Sequence, residues 1–239
     1  NIFKEGSQVR DRMIDYGSIC DELHIVVLTL RGYSAQVISD NVFLYPTNSF
    51  FKILSFFNAL AISRKIPNID LVTSQDPFEV GFIGWLISVY LKTKLQLQIH
   101  TDFLSPHFVI GSFLNKIRVF LAKFLLPKAD GIRVVSERIR RSLVTCHLSL
   151  VTVPVVLPIF VDAKKIMETT PKFDLHKKYP QFNFIILTVA RLEPEKNISL
   201  TLDVMERLIK EYPNIGLVLV GDGSEKENLK AKTKWLKLG

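Results

Sequence analysis

Arg191 and Lys196 are the residues whose types and spacing point most directly to chemistry. They flank an acidic turn at 193–195, between an apolar strand-like stretch and a helix that we predict to begin at Asn197. Arginine offers phosphate oxygens a planar fork, and lysine offers them a mobile point charge. The N-terminus of the following helix adds unpaired backbone N–H groups and partial positive charge. The pattern therefore predicts a binding site for a diphosphate.

A second strand followed by a turn lies further along the chain. The apolar stretch Ile215–Val220 ends in Gly221-Asp222-Gly223. Open α/β sheets bind ligands at the carboxyl ends of their strands, so we expect this turn to lie beside the turn after Arg191. Gly221 and Gly223 are expected to permit positive φ and a close approach of the backbone to the ligand, with a plain tight turn as the alternative.

Together the two segments resemble the donor-site half of retaining glycosyltransferases of the GT-B fold, within family 4 (group 1). The family pattern reads V-G-R-L-x-x-E-K-N and later L-V-G-D-G-x-E, and residues 189–197 and 219–225 match it, with Ala190 in place of the usual glycine. The resemblance implies that Arg191 and Lys196 neutralise the donor diphosphate and stabilise the departing nucleoside diphosphate. It also implies a nucleotide diphosphate sugar as co-substrate, with no metal and no other cofactor.

Apolar strands alternate with helical patterns throughout the chain, which predicts an α/β fold with doubly wound parallel sheets. Before the proline-rich stretch we expect strands at 24–30, 42–45, 69–74, 95–100, 131–135 and 150–153, and helices at 49–64, 77–91, 112–126 and 136–146. With the resemblance, this becomes a GT-B architecture of two Rossmann-like domains, the second incomplete. Residues 1–155 would form the acceptor-side domain, its first strand missing. Residues 156–239 would form the linker and the first half of the donor domain, with a cleft between the two domains.

Polar residues at strand ends of the first domain are the candidates for contacts with the transferred sugar and the acceptor. Family members carry a His or Asp where His100 ends an apolar strand, so the resemblance makes His100 the first candidate and Asp102 the alternate. A hydrogen bond from His100 to the backbone is the structural alternative. Gly6 resembles the glycine of the loop that approaches the donor phosphate.

Two further residues at strand ends have competing structural roles. Asp76, followed by Pro77, has the pattern of a helix N-cap, which we favour over a substrate contact. Ser136 resembles a residue that lines the cleft in the family, and it is equally suited to capping the next helix.

The net charge of +8 is concentrated at residues 111–141, which hold eight Lys or Arg and two acidic residues, giving 8 − 2 = +6. Apolar residues recur among these bases at helical spacing: Phe113, Leu114, Ile117, Phe120, Leu121, Phe124 and Leu125. This combination favours an anionic membrane surface as partner. The alternative is an ordinary helix with its apolar residues in the core, which explains the same periodicity and which we favour over membrane contact. Because no recognition motif accompanies the charge, we expect no nucleic-acid partner.

Composition restricts the class of protein. A hydrophobic content of 48% is typical of a folded core. The longest uncharged apolar run, residues 80–91, has 12 residues and is too short to cross a bilayer. Cys20 and Cys146 lie far apart without metal-type spacing, which favours a reducing, cytoplasmic location. Membrane contact through residues 111–141 would make that location peripheral on the inner face of the membrane. The sequence has no dinucleotide-binding fingerprint, nucleophile elbow or P-loop, so dehydrogenase, α/β-hydrolase and P-loop NTPase functions are excluded.

We therefore expect a fragment of a retaining glycosyltransferase that moves a sugar from a nucleotide diphosphate sugar to an acceptor hydroxyl. The acceptor would be a carbohydrate or a lipid-linked molecule in the synthesis of a surface glycan or glycolipid. The Glu-x7-Glu signature that contacts sugar and ribose in the family has no counterpart in this sequence, so the chain alone is expected to be inactive. The alternative is a glycosyltransferase-like binding module without catalysis, or an inactive remnant.

Overall fold

The computed structural model describes residues 2–110, 112–146 and 148–238, with only the backbone described at Lys165. The chain divides into two compact units, and the boundary lies between Phe160 and Val161.

The first unit contains two β-sheets with helices packed on them. Its elements are α1 (Gln8–Gly17), β1 (Leu23–Val27), β2 (Gln36–Ser39), β3 (Val42–Pro46), α2 (Leu54–Ser63), β4 (Leu71–Ser74), α3 (Glu79–Leu91), β5 (Lys94–Ile99), α4 (Pro106–Val109), α5 (Phe113–Leu125), β6 (Gly131–Val134), α6 (Glu137–Thr145) and β7 (Val155–Val156). Strand β3 pairs with β1 in parallel and with β2 antiparallel. Strands β4, β5, β6 and β7 form a second sheet in that order, and its strands are all parallel.

The order of the second sheet decides where its helices lie. Because each strand is added beside the previous one, crossovers of one hand place the connecting helices on the same face. Leu97 of β5 and Val134 of β6 are fully buried on that face, against Leu125 of α5 and Leu143 of α6. Helix α3 lies on the same face and packs there through Trp85.

Helix α5 buries only part of its apolar surface. Ala122 and Leu125 are fully buried, whereas Phe113 and Phe120 are 77% and 71% exposed. Ile117 is exposed on the same side of the helix. The prediction that the apolar residues of this helix lie in the core is therefore wrong for the stripe formed by Phe113, Ile117 and Phe120.

The second unit is built on one pair of parallel strands. Its elements are α7 (Ala163–Glu168), α8 (Leu175–Lys178), β8 (Phe184–Val189), α9 (Ile198–Glu211), β9 (Ile215–Val220) and α10 (Lys226–Trp235). Strands β8 and β9 pair along their whole length. Helix α9 buries Ile198, Leu202 and Met205, whose spacing places them on one face of the helix. Leu229 of α10 joins the same core.

The predicted α/β class with parallel sheets is confirmed, and three details of the prediction are wrong. Strand β2 was not predicted, although it pairs antiparallel with β3. The strand expected at 150–153 is absent, and β7 forms instead between Pro154 and Pro158, where Leu157 N donates to Val134 O. The predicted helix at 49–64 begins only at Leu54.

Candidate functional site

The turns that follow β8 and β9 are joined by backbone hydrogen bonds. Leu192 N donates to Asp222 O, and Glu225 N donates to Leu192 O, each at 2.9 Å. These bonds continue the pairing of the two strands beyond their ends. The structure therefore brings together the two segments that the sequence places at one edge of the sheet, and we call residues 190–197 and 221–225 the docked turns.

Close approach of backbones explains the two glycines of the second turn. A Cβ on Gly221 would overlap Ala190 O, and a Cβ on Gly223 would overlap Leu192 O. Any side chain at either position would separate the turns. The expectation of a positive φ is wrong for Gly221, which is not among the residues with that backbone conformation.

Glu193 adds a side-chain connection between the turns that the sequence did not reveal. Its carboxylate accepts hydrogen bonds from Ser224 Oγ at 2.7 Å and from Ser224 N at 3.2 Å. Hydrogen bonds to a carboxylate favour its ionised form, so they lower the pKa of Glu193. The ionised carboxylate of Glu193, in the first turn, is thus bound to Ser224 in the second turn and holds the two turns together.

Arg191 and Lys196 lie on the exposed side of this pair of turns. Arg191 Nη2 donates to Glu195 Oε1 at 2.7 Å, and the arginine side chain remains 72% exposed. Lys196 ends a 3₁₀ turn, is exposed and takes part in none of the ion pairs found among the described residues. Exposed ion pairs contribute little free energy. A ligand with two phosphate groups can therefore compete with Glu195 for Arg191.

The N-terminus of α9 follows these cations directly. Asn197 adopts the left-handed conformation, with φ of 48°, and its side chain makes no capping hydrogen bond. The helix begins at Ile198. Its first backbone N–H groups carry the partial positive charge that suits an anion.

In the first unit, His100 follows the carboxyl end of β5 and is exposed. Partial burial is the largest cause that lowers the pKa of His100, and the positive charges of Arg133 and Arg12 lower it further. Asp76 acts in the opposite direction, but more weakly. His100 therefore favours the neutral imidazole, which can donate a proton at one ring nitrogen and accept one at the other.

Arg133 is held in place by a row of polar side chains across the second sheet, which sequence reasoning missed. Arg133 Nη1 donates to Gln98 Oε1 at 2.9 Å, and Gln98 Nε2 donates to Thr73 Oγ1 at 3.2 Å. Arg133 also donates to Leu157 O at 3.2 Å. A weak sequence signal existed, because Gln96 and Gln98 alternate with the buried apolar residues of β5.

Asp102 is directed towards α6. Ser142 Oγ donates to Asp102 Oδ1 at 3.4 Å, and Arg138 Nε lies 3.6 Å from Oδ2. These contacts give the carboxylate a local structural role. His100 has no such side-chain partner within the described residues, so its imidazole is open to a ligand.

The remaining predicted residues have local backbone roles. Asp76 Oδ1 accepts from Phe78 N at 2.8 Å, and burial raises the pKa of Asp76. Helix α3 begins at Glu79 with Phe78 at its N-cap position, two residues after Asp76, so the predicted N-cap at Asp76 is wrong. Ser136 caps α6 by accepting from Ile139 N. Gly6 has φ of 67° and lies just before α1.

A metal site does not emerge from the described residues: no group of three or more His, Cys, Asp or Glu side chains is arranged to hold an ion.

The fold of this chain is similar to that of solved GT-B glycosyltransferases. The fold matches HepE from Anabaena in complex with UDP, with a TM-score of 0.62 and 17% identity, over 82% of this chain and 53% of HepE. It also matches a Staphylococcus aureus TarM variant in complex with fondaparinux, α-GlcNAc-glycerol and UDP, with a TM-score of 0.55 and 16% identity, over 77% of this chain and 35% of TarM.

Residues 172–239, which include both docked turns, match the family model of the glycosyl transferases group 1. Two curated relatives extend the similarity into the first unit. The α-monoglucosyldiacylglycerol synthase of Streptococcus pneumoniae is 25% identical over 192 residues, which are 77% of this chain and 43% of that protein. An uncharacterised glycosyltransferase of Methanocaldococcus jannaschii is 23% identical over 200 residues, which are 80% of this chain and 48% of that protein.

These comparisons confirm the resemblance to group 1 glycosyltransferases of the GT-B fold. The chain spans slightly less than half the length of the curated relatives it matches.

A change at Arg12 tests the electrostatics around His100. Arg12 is exposed, and its positive charge disfavours protonation of the imidazole. We expect Arg12→Gln to raise the pKa of His100, measured by NMR titration of its ring protons. Lys65→Gln, which removes an exposed charge that does not act on His100, is the control. An unchanged titration midpoint in Arg12→Gln, or the same shift in both variants, would show that Arg12 does not influence His100.

Proposed function

We propose that this chain is part of a retaining glycosyltransferase that transfers a sugar from a nucleotide diphosphate sugar to an acceptor hydroxyl. The pair of docked turns in the second unit is the observation that carries the proposal. It presents Arg191, Lys196 and the N-terminus of α9 on one exposed surface. HepE and TarM, which share the fold, were each solved with UDP. Uridine diphosphate is therefore the first nucleotide to test.

The proposed role of Arg191 and Lys196 is to bind the leaving group. As the bond from the sugar to the diphosphate breaks, negative charge grows on the phosphate oxygens, and fixed positive groups stabilise that charge. The Arg191 fork can take two oxygens, and Lys196 can neutralise a third. The two cations would take the part that a metal ion plays elsewhere, and retention of configuration is inferred from the family resemblance.

On the acceptor side we propose His100 as the residue that contacts the transferred sugar or the acceptor hydroxyl. Partial burial lowers the pKa of His100, and the charges of Arg133 and Arg12 lower it further, so the neutral imidazole is favoured. Asp102 is the second choice, because Arg138 and Ser142 already occupy its carboxylate. The S. pneumoniae relative is named for the product of a lipid acceptor, which supports glycolipid or surface-glycan synthesis as the role.

We also propose that the first unit binds an anionic membrane surface through α5. The exposed stripe of Phe113, Ile117 and Phe120 runs along this helix, and Lys116 and Lys123 are exposed on one flank. An apolar face bordered by lysines is the pattern of helices that lie in the headgroup region. No helix in the described part of the chain could span a bilayer.

The basic window at 111–141 contributes fewer free charges than its composition indicates. Arg118 donates to Glu79 at 2.9 Å, and Arg138, Arg140 and Arg141 each pair with an acidic side chain. Arg133 hydrogen-bonds across the second sheet. The proposal therefore depends on the lysines of α5 rather than on the whole window.

Replacing the two cations tests the proposed donor site. In a complete enzyme that contains this sequence, Arg191→Ala or Lys196→Ala removes a contact to a developing anion. The expected loss is about 2–4 kcal/mol of transition-state stabilisation. That loss corresponds to on the order of a 30- to 1000-fold decrease in kcat/KM. Arg191→Lys should also be impaired, because the fork is lost although the charge remains.

Arg207→Ala is the matched control, because Arg207 is an exposed base of α9 away from its N-terminus. It should retain the original kcat/KM and the original affinity for uridine diphosphate. If the variants of Arg191 and Lys196 behave like this control, the diphosphate assignment is wrong.

Vesicle binding tests the role of α5. The double change Ile117→Ser and Phe120→Ser should weaken partitioning to vesicles of phosphatidylglycerol and phosphatidylcholine by on the order of ten-fold or more, because apolar surface no longer enters the lipid. Lys116→Gln with Lys123→Gln should reduce the salt dependence of binding, which arises from screening of exposed charges. Val144→Ser, at an exposed position of α6, is the control. Equal binding to anionic and neutral vesicles by the unchanged protein would contradict the proposal.

A further inference from the structure

Helix α2 and the segment before it carry a second exposed apolar surface, outside the basic window. This α2 patch consists of Phe50, Phe51, Ile53, Leu54 and Phe57. Phe51 and Ile53 are 70% and 79% exposed. We propose that the α2 patch is a second membrane anchor that enters the same anionic bilayer as α5. The inference rests on the proposed membrane association and adds a second contact surface to it.

Helix α2 has large apolar residues on both its inner and its outer side. Ser55, Ala59 and Ser63 are buried, and Phe56 and Leu60 pack against the core beside them. Ile53 and Phe57 lie on the exposed side. Helices of globular proteins usually bury their large apolar residues and expose polar ones. The exposed residues of α2 and of the segment before it therefore form an apolar surface of the kind that marks an interaction site.

Aromatic contacts connect the α2 patch with α5 through α3. Phe57 contacts Phe56 within α2, with ring centroids 5.9 Å apart, and Phe56 contacts Phe82 of α3 at 5.6 Å. Phe82 contacts Trp85 at 5.5 Å, and Trp85 meets Phe124 of α5 edge to face at 5.3 Å. The three helices thus form one packed layer, and the proposed anchors lie on its two outer members.

The charge around the α2 patch fits an anionic lipid surface. Residues 41–69 contain no Asp or Glu, and their bases are Lys52, Arg64 and Lys65. The guanidinium of Arg31 lies 3.0 Å from the ring centroid of Phe50. Bases beside exposed aromatic rings are attracted to anionic headgroups while the rings enter the interface. A second copy of this chain on the same patch would instead bring like charges together.

The experiment places a fluorescent probe at single cysteines in the full chain. Cys20 and Cys146 are replaced by serine, and an environment-sensitive nitrobenzoxadiazole group is attached at Ile53→Cys or at Phe120→Cys. Ile19→Cys is the control, since Ile19 is 83% exposed and follows α1. Each labelled protein is mixed with vesicles of phosphatidylglycerol and phosphatidylcholine, with and without brominated acyl chains.

We expect the probes at positions 53 and 120 both to shift to shorter wavelength and to be quenched by brominated lipid, while the probe at position 19 is unaffected. Quenching at position 120 alone would overturn the second anchor and leave the proposed binding through α5 intact. Absence of quenching at both positions would overturn the membrane proposal together with this inference. A shift at position 53 without lipid, accompanied by dimer formation, would identify a second copy as the partner and overturn the lipid assignment.

Partitioning of unlabelled protein gives an independent measurement. Phe51→Ala combined with Ile53→Ala should weaken binding to the anionic vesicles by on the order of ten-fold or more, because less apolar surface is buried. Ile19→Ala is the control for loss of an exposed apolar side chain. Equal partitioning of the double variant and the control would overturn the second anchor.

Discussion

The reciprocal hydrogen bonds of Leu192 are the interaction on which the candidate donor site depends. The backbone of this residue donates to the turn after β9 and accepts from its last residue, Glu225. These bonds join backbone atoms, so the two turns must lie very close together. That distance is possible only because positions 221 and 223 are glycine, since a Cβ at either position would overlap the backbone of the other turn. The carboxylate of Glu193 reinforces the contact through Ser224. Arg191 is thereby fixed at the carboxyl end of the strand pair.

A different constraint shapes the first unit. The sequential order of β4, β5, β6 and β7 places the intervening helices on one face. The opposite face carries the hydrogen-bonded row of Thr73, Gln98 and Arg133. The helical layer exposes apolar side chains on α2 and α5 that are not buried in its core. One architecture thus separates a polar sheet surface from an apolar helical surface.

Periodicity and local motifs predicted much of this architecture. Strand β9 has the expected bounds, and α9 begins at Ile198, one residue after the predicted start at Asn197. The antiparallel pairing of β2 was not predictable, because Gln36–Ser39 is short and gains its partner only in three dimensions. The contact of Glu193 with Ser224 and the position of Arg133 depend on tertiary packing in the same way. Whether the stripe of α5 was buried or exposed could not be read from helical spacing, which is identical in the two cases.

The most direct measurement is amide NMR of the isotope-labelled chain during titration with uridine diphosphate and with inorganic pyrophosphate. If the docked turns bind the diphosphate, the amides of residues 191–193, 195–199 and 221–225 should shift with both ligands, whereas those of α8 should not. Because pyrophosphate lacks base and ribose, a shared response would locate the phosphate contacts. Saturable shifts elsewhere, with the amides of both turns unchanged, would contradict the central claim.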